Sequence, residues 1–270
     1  MNHRYDEMFA RARSRGERGV FIPFVMLGDP TLDRSFAIIE TLIAAGADGL
    51  EVGLPFSDPI ADGPVVQQAA QRAQDAGART HDALELVRRV REAHPDVPMG
   101  LLVYANLVVH RGMDAFYSAC AGSGLDSVLV ADVPTREAAP FVSCALKHHI
   151  SPVLIATPDA SDEVLRMVAE YSRGYTYVVT RRGVTGERET LEEMRGDVLS
   201  RLKELGGAPG VLGFGISAPE HVGAAMDMGA AGAISGSAVI RRIAQNLGDD
   251  DAMHQTLGDF VHEMKAATRG

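Results

Sequence analysis

The chain has 270 residues, 46% of them hydrophobic and 23% charged, the composition of an ordinary globular protein with a sizeable core. Its formal net charge of −10 speaks against nucleic acid or an anionic membrane surface as partner, so an anionic ligand has to be held locally by backbone N–H groups or a few arginines. The two cysteines, Cys120 and Cys144, show no metal-ligand spacing along the chain and point to a reducing compartment.

The N-terminus is polar at once, and Asp6, Glu7 and Glu17 among the early arginines argue against a secretory or transit signal. No apolar run reaches membrane-spanning length, so the expected location is cytoplasmic. Tyr5, Met8, Phe9 and Ala12 recur at helical spacing and predict a short amphipathic helix. Strand patterns follow at 20–26, 49–52, 99–104, 127–131, 152–155, 175–180, 210–213 and 232–235. Helical patterns alternate with them at 32–45, 83–93, 113–121, 136–148, 162–171, 191–205, 219–228 and 238–247. Eight such alternations in about 250 residues predict an α/β fold, a (β/α)8 TIM barrel with an extra N-terminal helix. An open doubly wound sheet usually carries a G-x-G-x-x-G turn, and none occurs. No low-complexity segment or linker divides the chain, so residues 1–270 are expected to form a single domain.

In such barrels the chemistry sits at the C-terminal ends of the strands. The run Leu50-Glu-Val-Gly-Leu-Pro-Phe-Ser-Asp-Pro-Ile-Ala-Asp-Gly-Pro64 holds Glu51 inside an apolar strand, where a carboxylate is costly unless it is paired or used. Asp62 follows beyond a loop stiffened by Pro55 and Pro59, so the two acids could converge as acid and base. Tyr104, Asn106, Asp132 and Tyr177 also fall near strand ends, with Asn106 and Asp132 read as ordinary polar residues of loop mouths. Gly213-Phe-Gly-Ile-Ser217 and Ser235-Gly-Ser237 follow the last two strands, the habitual phosphate site of this fold, where a helix N-terminus offers unpaired N–H groups. The polar run 180–190, punctuated by Gly183 and Gly186, reads as a lid. Lys147, Lys203 and Lys265 all lie in helical stretches, so a Schiff-base mechanism lacks its strand-end nucleophile. The nine histidines form no metal motif, so no metal site is expected and carboxylate acid–base catalysis remains.

Together these segments resemble the tryptophan synthase alpha subunit family. The matching stretches are Phe21-Ile-Pro-Phe24, Leu27-Gly-Asp-Pro30, the Leu50 to Pro64 run, Tyr104-Ala-Asn106, Ala131-Asp-Val-Pro134, Gly174-Tyr-Thr-Tyr177, Gly183-Val-Thr-Gly186, Gly213 to Ser217 and Gly232 to Ala238. They run in order from the first strand to the eighth. The resemblance implies retro-aldol cleavage of indole-3-glycerol phosphate into indole and glyceraldehyde 3-phosphate, in L-tryptophan biosynthesis. It makes Glu51 the proton shuttle, Asp62 the partner of the indole N–H, and Tyr177 a neighbour of the reacting atoms. It also implies an indole pocket of Phe24, Leu102, Leu129, Ile155, Phe214 and Ile234, residues that by pattern alone read as barrel core. Thr185 would bond Asp62 on lid closure, and phosphate would rest on Gly186, Gly215, Gly236 and Ser237. The resemblance implies no cofactor for this chain. Pyridoxal phosphate belongs to the beta subunit of an α2β2 complex, which the loop around Pro55 to Asp58 and the lid would face.

Two departures from the family pattern, Met26 and the basic Arg181-Arg182, bear on lid motion or partner fit. The rival readings are another phosphate-binding barrel, such as an isomerase or an indole-glycerol-phosphate synthase, and an effector subunit that has lost catalysis and only activates a beta partner. The synthase would want a strand-end lysine. Retention of Glu51, Asp62, Tyr177 and Thr185 argues against the inactive effector.

Overall fold

The computed structural model describes residues 3–179, 191–213 and 215–269, without the side chains of 191–197. Strands β1 (Val20–Met26), β2 (Leu50–Gly53), β3 (Met99–Val103) and β4 (Ser127–Val130) form one half of a parallel sheet. The short β5 (Ser151–Pro152) and β6 (Ile155–Ala156) are two pieces of one passage, followed by β7 (Thr176–Val178), β8 (Gly210–Leu212) and β9 (Gly232–Ser235). β5 pairs with β4, β6 pairs with β7, and β9 returns to β1. The Val153 N–H donates to Val128 and the Tyr177 N–H to Leu154, so the passage 151–156 closes the ring. The predicted eight-stranded barrel is present, with its fifth strand interrupted at the closure.

The helices sit outside the ring because each β-α unit buries one apolar stripe against the strands. They are α1 (Arg4–Ser14), α2 (Leu32–Ala44), α3 (Pro64–Asp75), α4 (Thr80–Ala93), α5 (Ala105–His110), α6 (Met113–Ser123), α7 (Ala139–Lys147), α8 (Asp162–Tyr171), α9 (Leu191–Glu204), α10 (Pro219–Asp227), α11 (Ser237–Gln245) and α12 (Asp250–Ala266). Helices α3, α5 and α12 go beyond the periodic stretches recognised in the sequence. Gly63-Pro64 reads as a turn, but Pro64 occupies the first position of α3, where its missing N–H costs nothing. The buried stripe of α3 is Val66, Ala69, Ala70 and Ala73, small residues with a weak periodic signal.

Helix α1 closes the bottom of the barrel with the four residues its spacing picked out, Tyr5, Met8, Phe9 and Ala12, all buried. Full burial of Met8 and Phe9 contributes roughly 1.5–3 kcal/mol each. At the same end Lys265 of α12 donates to Glu17 and to Asp48 at 2.6 Å each, and Arg15 reaches both carboxylates. Burial pushes the Glu17 carboxyl up, but hydrogen bonds from Arg15 and Lys265 and the charges of both outweigh it and hold it at about 2. The one buried lysine is thus committed at the end opposite the strand C-termini, among the described residues. No helix among the described residues is long and apolar enough to cross a membrane.

Candidate active site

Strand pairing fixes which side chains share the barrel interior, because residues in register across parallel strands point the same way. Phe24, Glu51, Gly100 and Ser127 form one such layer, from β1 to β4. Two residues on, toward the C-terminal mouth, Met26, Gly53, Leu102 and Leu129 form the next. Glu51 therefore points into the barrel below the mouth, and it is only 2% exposed. Gly53 has to lack a side chain, because Phe24 and Met26 pack over it: a Cβ there would stand 2.8 Å from Phe24 and 3.1 Å from the Met26 methyl. Met26, one of the two departures noted in the sequence, is thus packed inside the barrel and not a surface residue.

Tyr175 lies across the barrel from Glu51 and donates a hydrogen bond from its hydroxyl to Glu51 Oε1 at 3.0 Å. Its ring meets that of Tyr5, with centroids 5.3 Å apart, and the Tyr5 hydroxyl is 2.7 Å from Ser127 Oγ. Gly100 makes room for this cluster, since a Cβ there would stand under 3 Å from both the Ser127 and Tyr5 oxygens. Burial pushes the Glu51 carboxyl up, the Tyr175 hydrogen bond draws it down, and the charge of Asp62 raises it again, for a pKa of about 7. That value suits a group that both gives and takes a proton near neutrality.

Asp62 sits immediately before Gly63, the residue that caps α3. Burial raises its pKa, and a hydrogen bond from the Tyr104 hydroxyl lowers it in part. The same hydroxyl accepts from the Ala61 N–H at 3.1 Å, and the Tyr104 ring stacks on Phe56. Tyr104 thus ties the loop after β2 to the end of β3. Tyr177 is buried and donates its hydroxyl hydrogen bond to the Gly213 carbonyl. Gly213 has to lack a side chain, because a Cβ there would overlap the Tyr177 ring at 2.0 Å. Tyr177 therefore feels the charges of Glu51 and Asp62 without bonding either carboxylate.

Two tyrosines were not assigned a role from sequence. Tyr104 was legible only as a strand-end residue. Tyr175 had a usable signal: it lies two residues before Tyr177 and so shares its face of the strand. Replacing Tyr175 with Phe removes the hydrogen bond that favours the charged form. The Glu51 pKa is then expected to climb above about 7, as read by carboxyl NMR titration. An unchanged titration would leave Tyr175 with packing alone.

Phe24, Leu129 and Ile234 are buried in the barrel core, while Leu102 and Ile155 are partly exposed. Asp132 accepts from the Ala105 N–H at 2.7 Å and so anchors the start of α5, in keeping with its reading as a loop-mouth residue. Asn106 is exposed on the same helix. Gly215 has a φ of +78°, and Gly236 caps α11, whose first helical residue is Ser237. The first N–H groups of a helix have no intrahelical acceptor and favour an anion. Ser217 donates its N–H to His221 Nδ1 at 3.2 Å, which steadies the loop that carries Gly215. Thr185, Gly186, Phe214 and the Arg181-Arg182 pair lie outside the described residues.

A family model described as tryptophan synthase alpha chain matches residues 9–269. The tryptophan synthase alpha chain of Escherichia coli (strain SMS-3-5 / SECEC) is 51% identical over 266 residues, covering 98% of this chain and 99% of its own. Among solved structures, tryptophan synthase subunit alpha from Legionella pneumophila str. Paris is 28% identical, with a TM-score of 0.87 over 99% of this chain and 98% of that one. The tryptophan synthase a2b2 complex from the hyperthermophile Pyrococcus furiosus superposes with a TM-score of 0.81 at 30% identity, over 92% of this chain and 98% of that chain. A model spanning nearly the whole sequence, and a relative half identical across both chains, carry one conclusion: this chain belongs to the tryptophan synthase alpha chain family, as an enzyme subunit of the lyase class.

Proposed function

We propose that this chain cleaves indole-3-glycerol phosphate into indole and glyceraldehyde 3-phosphate by carboxylate acid–base catalysis. The observation that carries this reading is Glu51, a carboxyl buried inside the barrel with a pKa of about 7 and within range of the Asp62 charge. Carbon 3 of an aromatic indole leaves poorly until it is protonated. Protonated Glu51 delivers that proton, and the resulting carboxylate then takes the proton of the glycerol hydroxyl as the carbon–carbon bond breaks. The bonding electrons return to the indolenine and restore the aromatic ring, so atoms and charge balance.

Asp62, ionised, accepts from the ring N–H and stabilises the positive charge that develops there. Tyr175 holds the Glu51 carboxylate between its two transfers, and Tyr104 orients Asp62. Phe24, Met26, Leu102, Leu129, Ile155 and Ile234 supply the apolar surroundings of the indole ring. Phosphate rests on the N–H groups of Gly215, Gly236 and Ser237. Thr185, Gly186 and Phe214 lie outside the described residues, and their assignment to lid and pocket belongs to the proposal alone. The chemistry is proton transfer alone and asks no cofactor of this chain.

The Pyrococcus furiosus relative is described as part of an a2b2 complex with mutual activation. By analogy this chain pairs with a pyridoxal phosphate-dependent beta subunit. The loop after β2 suits that role, since it presents Ile60, directly after Pro59, with 81% of its surface exposed, while Phe56 in the same loop stacks on Tyr104. The test is release of glyceraldehyde 3-phosphate from indole-3-glycerol phosphate by the purified chain, alone and with a beta subunit. Slow cleavage that the partner accelerates is the expected result. No cleavage under either condition would overturn the assignment.

A further inference from the structure

On the outside of the barrel, away from the carboxylates of the mouth, helices α6 and α7 bring together three ligand-type side chains that the proposed chemistry does not use. Asp114 lies in the first turn of α6. Cys144 lies on α7, and His148 caps its C-terminal end. Their ligand atoms all fall within 4.8 Å of one another, with His148 Nε2 at 2.9 Å from Asp114 Oδ1. Cys144 and His148 are four residues apart, one helical turn, so their side chains stack on one face of α7. Asp114 completes the group from the neighbouring helix. No linear spacing announces such a set, which is why the sequence alone shows no metal motif.

We propose that Asp114, Cys144 and His148 bind a soft divalent cation of the zinc type, with water as the fourth ligand. Thiolate, imidazole and carboxylate are a donor set that zinc favours. Ligand atoms about 2.0–2.3 Å from zinc stand roughly 3.3–3.6 Å apart at tetrahedral angles, so small side-chain rotations would bring these three into place. The spot already attracts positive charge, because the Lys147 ammonium sits on Asp114 and the C-terminal end of α7 presents its negative pole. Binding displaces Lys147, whose side chain is largely exposed and can move to solvent, and releases the thiol proton.

A Cys–His–Asp nucleophilic triad is the competing use of the same residues. Burial, and then the charge of Asp114, push the Cys144 thiol up, the reverse of what a nucleophile needs. A metal overcomes that cost by bonding the thiolate directly.

The test is titration of the chelator-stripped, untagged full chain with Co2+ and then Zn2+ under reducing conditions. The expected result is a near-ultraviolet thiolate-to-cobalt charge-transfer band that Zn2+ bleaches. Cys144→Ser loses the band, and His148→Gln weakens Zn2+ binding at least about tenfold, the loss that even outer-shell partners of a metal produce. Cys120→Ser keeps the band, because Cys120 is buried outside the group. Zn2+ also raises the thermal midpoint of the parent chain but not of Cys144→Ser. Cobalt binding without a charge-transfer band, or a band that survives in Cys144→Ser, would overturn the proposal. Each readout is independent of indole-3-glycerol phosphate cleavage.

Discussion

Glu51→Gln is expected to lower the rate of indole-3-glycerol phosphate cleavage by about 10²–10⁴-fold while leaving the fold intact. The amide keeps the size of the side chain and can still accept from Tyr175, but it can neither give nor take the proton. If the group acts in the chemical step as proposed, the loss should fall on kcat with KM little changed. The same variant has a second signature, in stability. The Glu51 pKa rises from 4.5 to about 7 on folding, so its favourable contribution is complete below the unfolded value and is lost as pH climbs through about 7.

Above that pH the buried carboxylate burdens the native state by on the order of 3 kcal/mol. Glutamine carries no such charge. Glu51→Gln should therefore unfold at higher temperature than the parent at about pH 8.5, and the gain should vanish near about pH 4.5. Activity lost with stability gained is what a side chain kept for chemistry predicts. A variant that cleaves as fast as the parent sinks the acid–base role. One that is less stable at alkaline pH contradicts the burial cost.

Asp62→Asn is the second large effect, an expected loss of about 10²–10³ in kcat, the scale of removing one preorganised electrostatic partner of a transition state. The amide oxygen still accepts from an indole N–H, but the full negative charge that answers the protonated ring is gone. The substitution also reports on Glu51. The Asp62 charge is one of the causes that raise the Glu51 pKa, so Asp62→Asn should move that pKa below about 7. Carboxyl NMR titration of Glu51 in the variant measures it. A large loss of rate with no movement of the Glu51 titration would make Asp62 a positioning group and not an electrostatic one.

Under the proposed mechanism the acid form of Glu51 starts the reaction, so cleavage should fall as pH rises through about 7. Tyr175→Phe should carry that limb to higher pH. The two variants thus push the same titration in opposite directions, and both shifts follow from groups that touch or face one carboxylate.

Much of the site was legible because it breaks local rules. Glu51 stood out as an acid inside an apolar strand, and the structure places it 2% exposed in the barrel interior. Asp62 stood out as the second acid, beyond a loop stiffened by Pro55 and Pro59. Tyr177 is buried, and its hydroxyl bonds the Gly213 carbonyl and not an acid. Tyr175 and Tyr104, which do bond the acids, showed in the sequence only a face shared with Tyr177 and a strand end, and neither place names a partner. A hydroxyl on a strand says nothing about which carboxylate stands opposite until the ring closes.

By itself the sequence determined the repeating pattern and therefore the barrel. The apolar strand runs, the stripes of most of the outer helices and the plug of Tyr5, Met8, Phe9 and Ala12 are local patterns, readable without knowing what lies across the core, while α3, α5 and α12 were not. Only the tertiary structure decided the electrostatics of the site. The pKa of Glu51 depends on exclusion from water by a closed ring, on a hydroxyl 124 residues away, and on a charge from the following loop. The placement of Asp114 beside Cys144 and His148 is likewise a matter of two helices packing. Burial, distance and dielectric are properties of the assembled chain, and no spacing along the sequence encodes them one residue at a time.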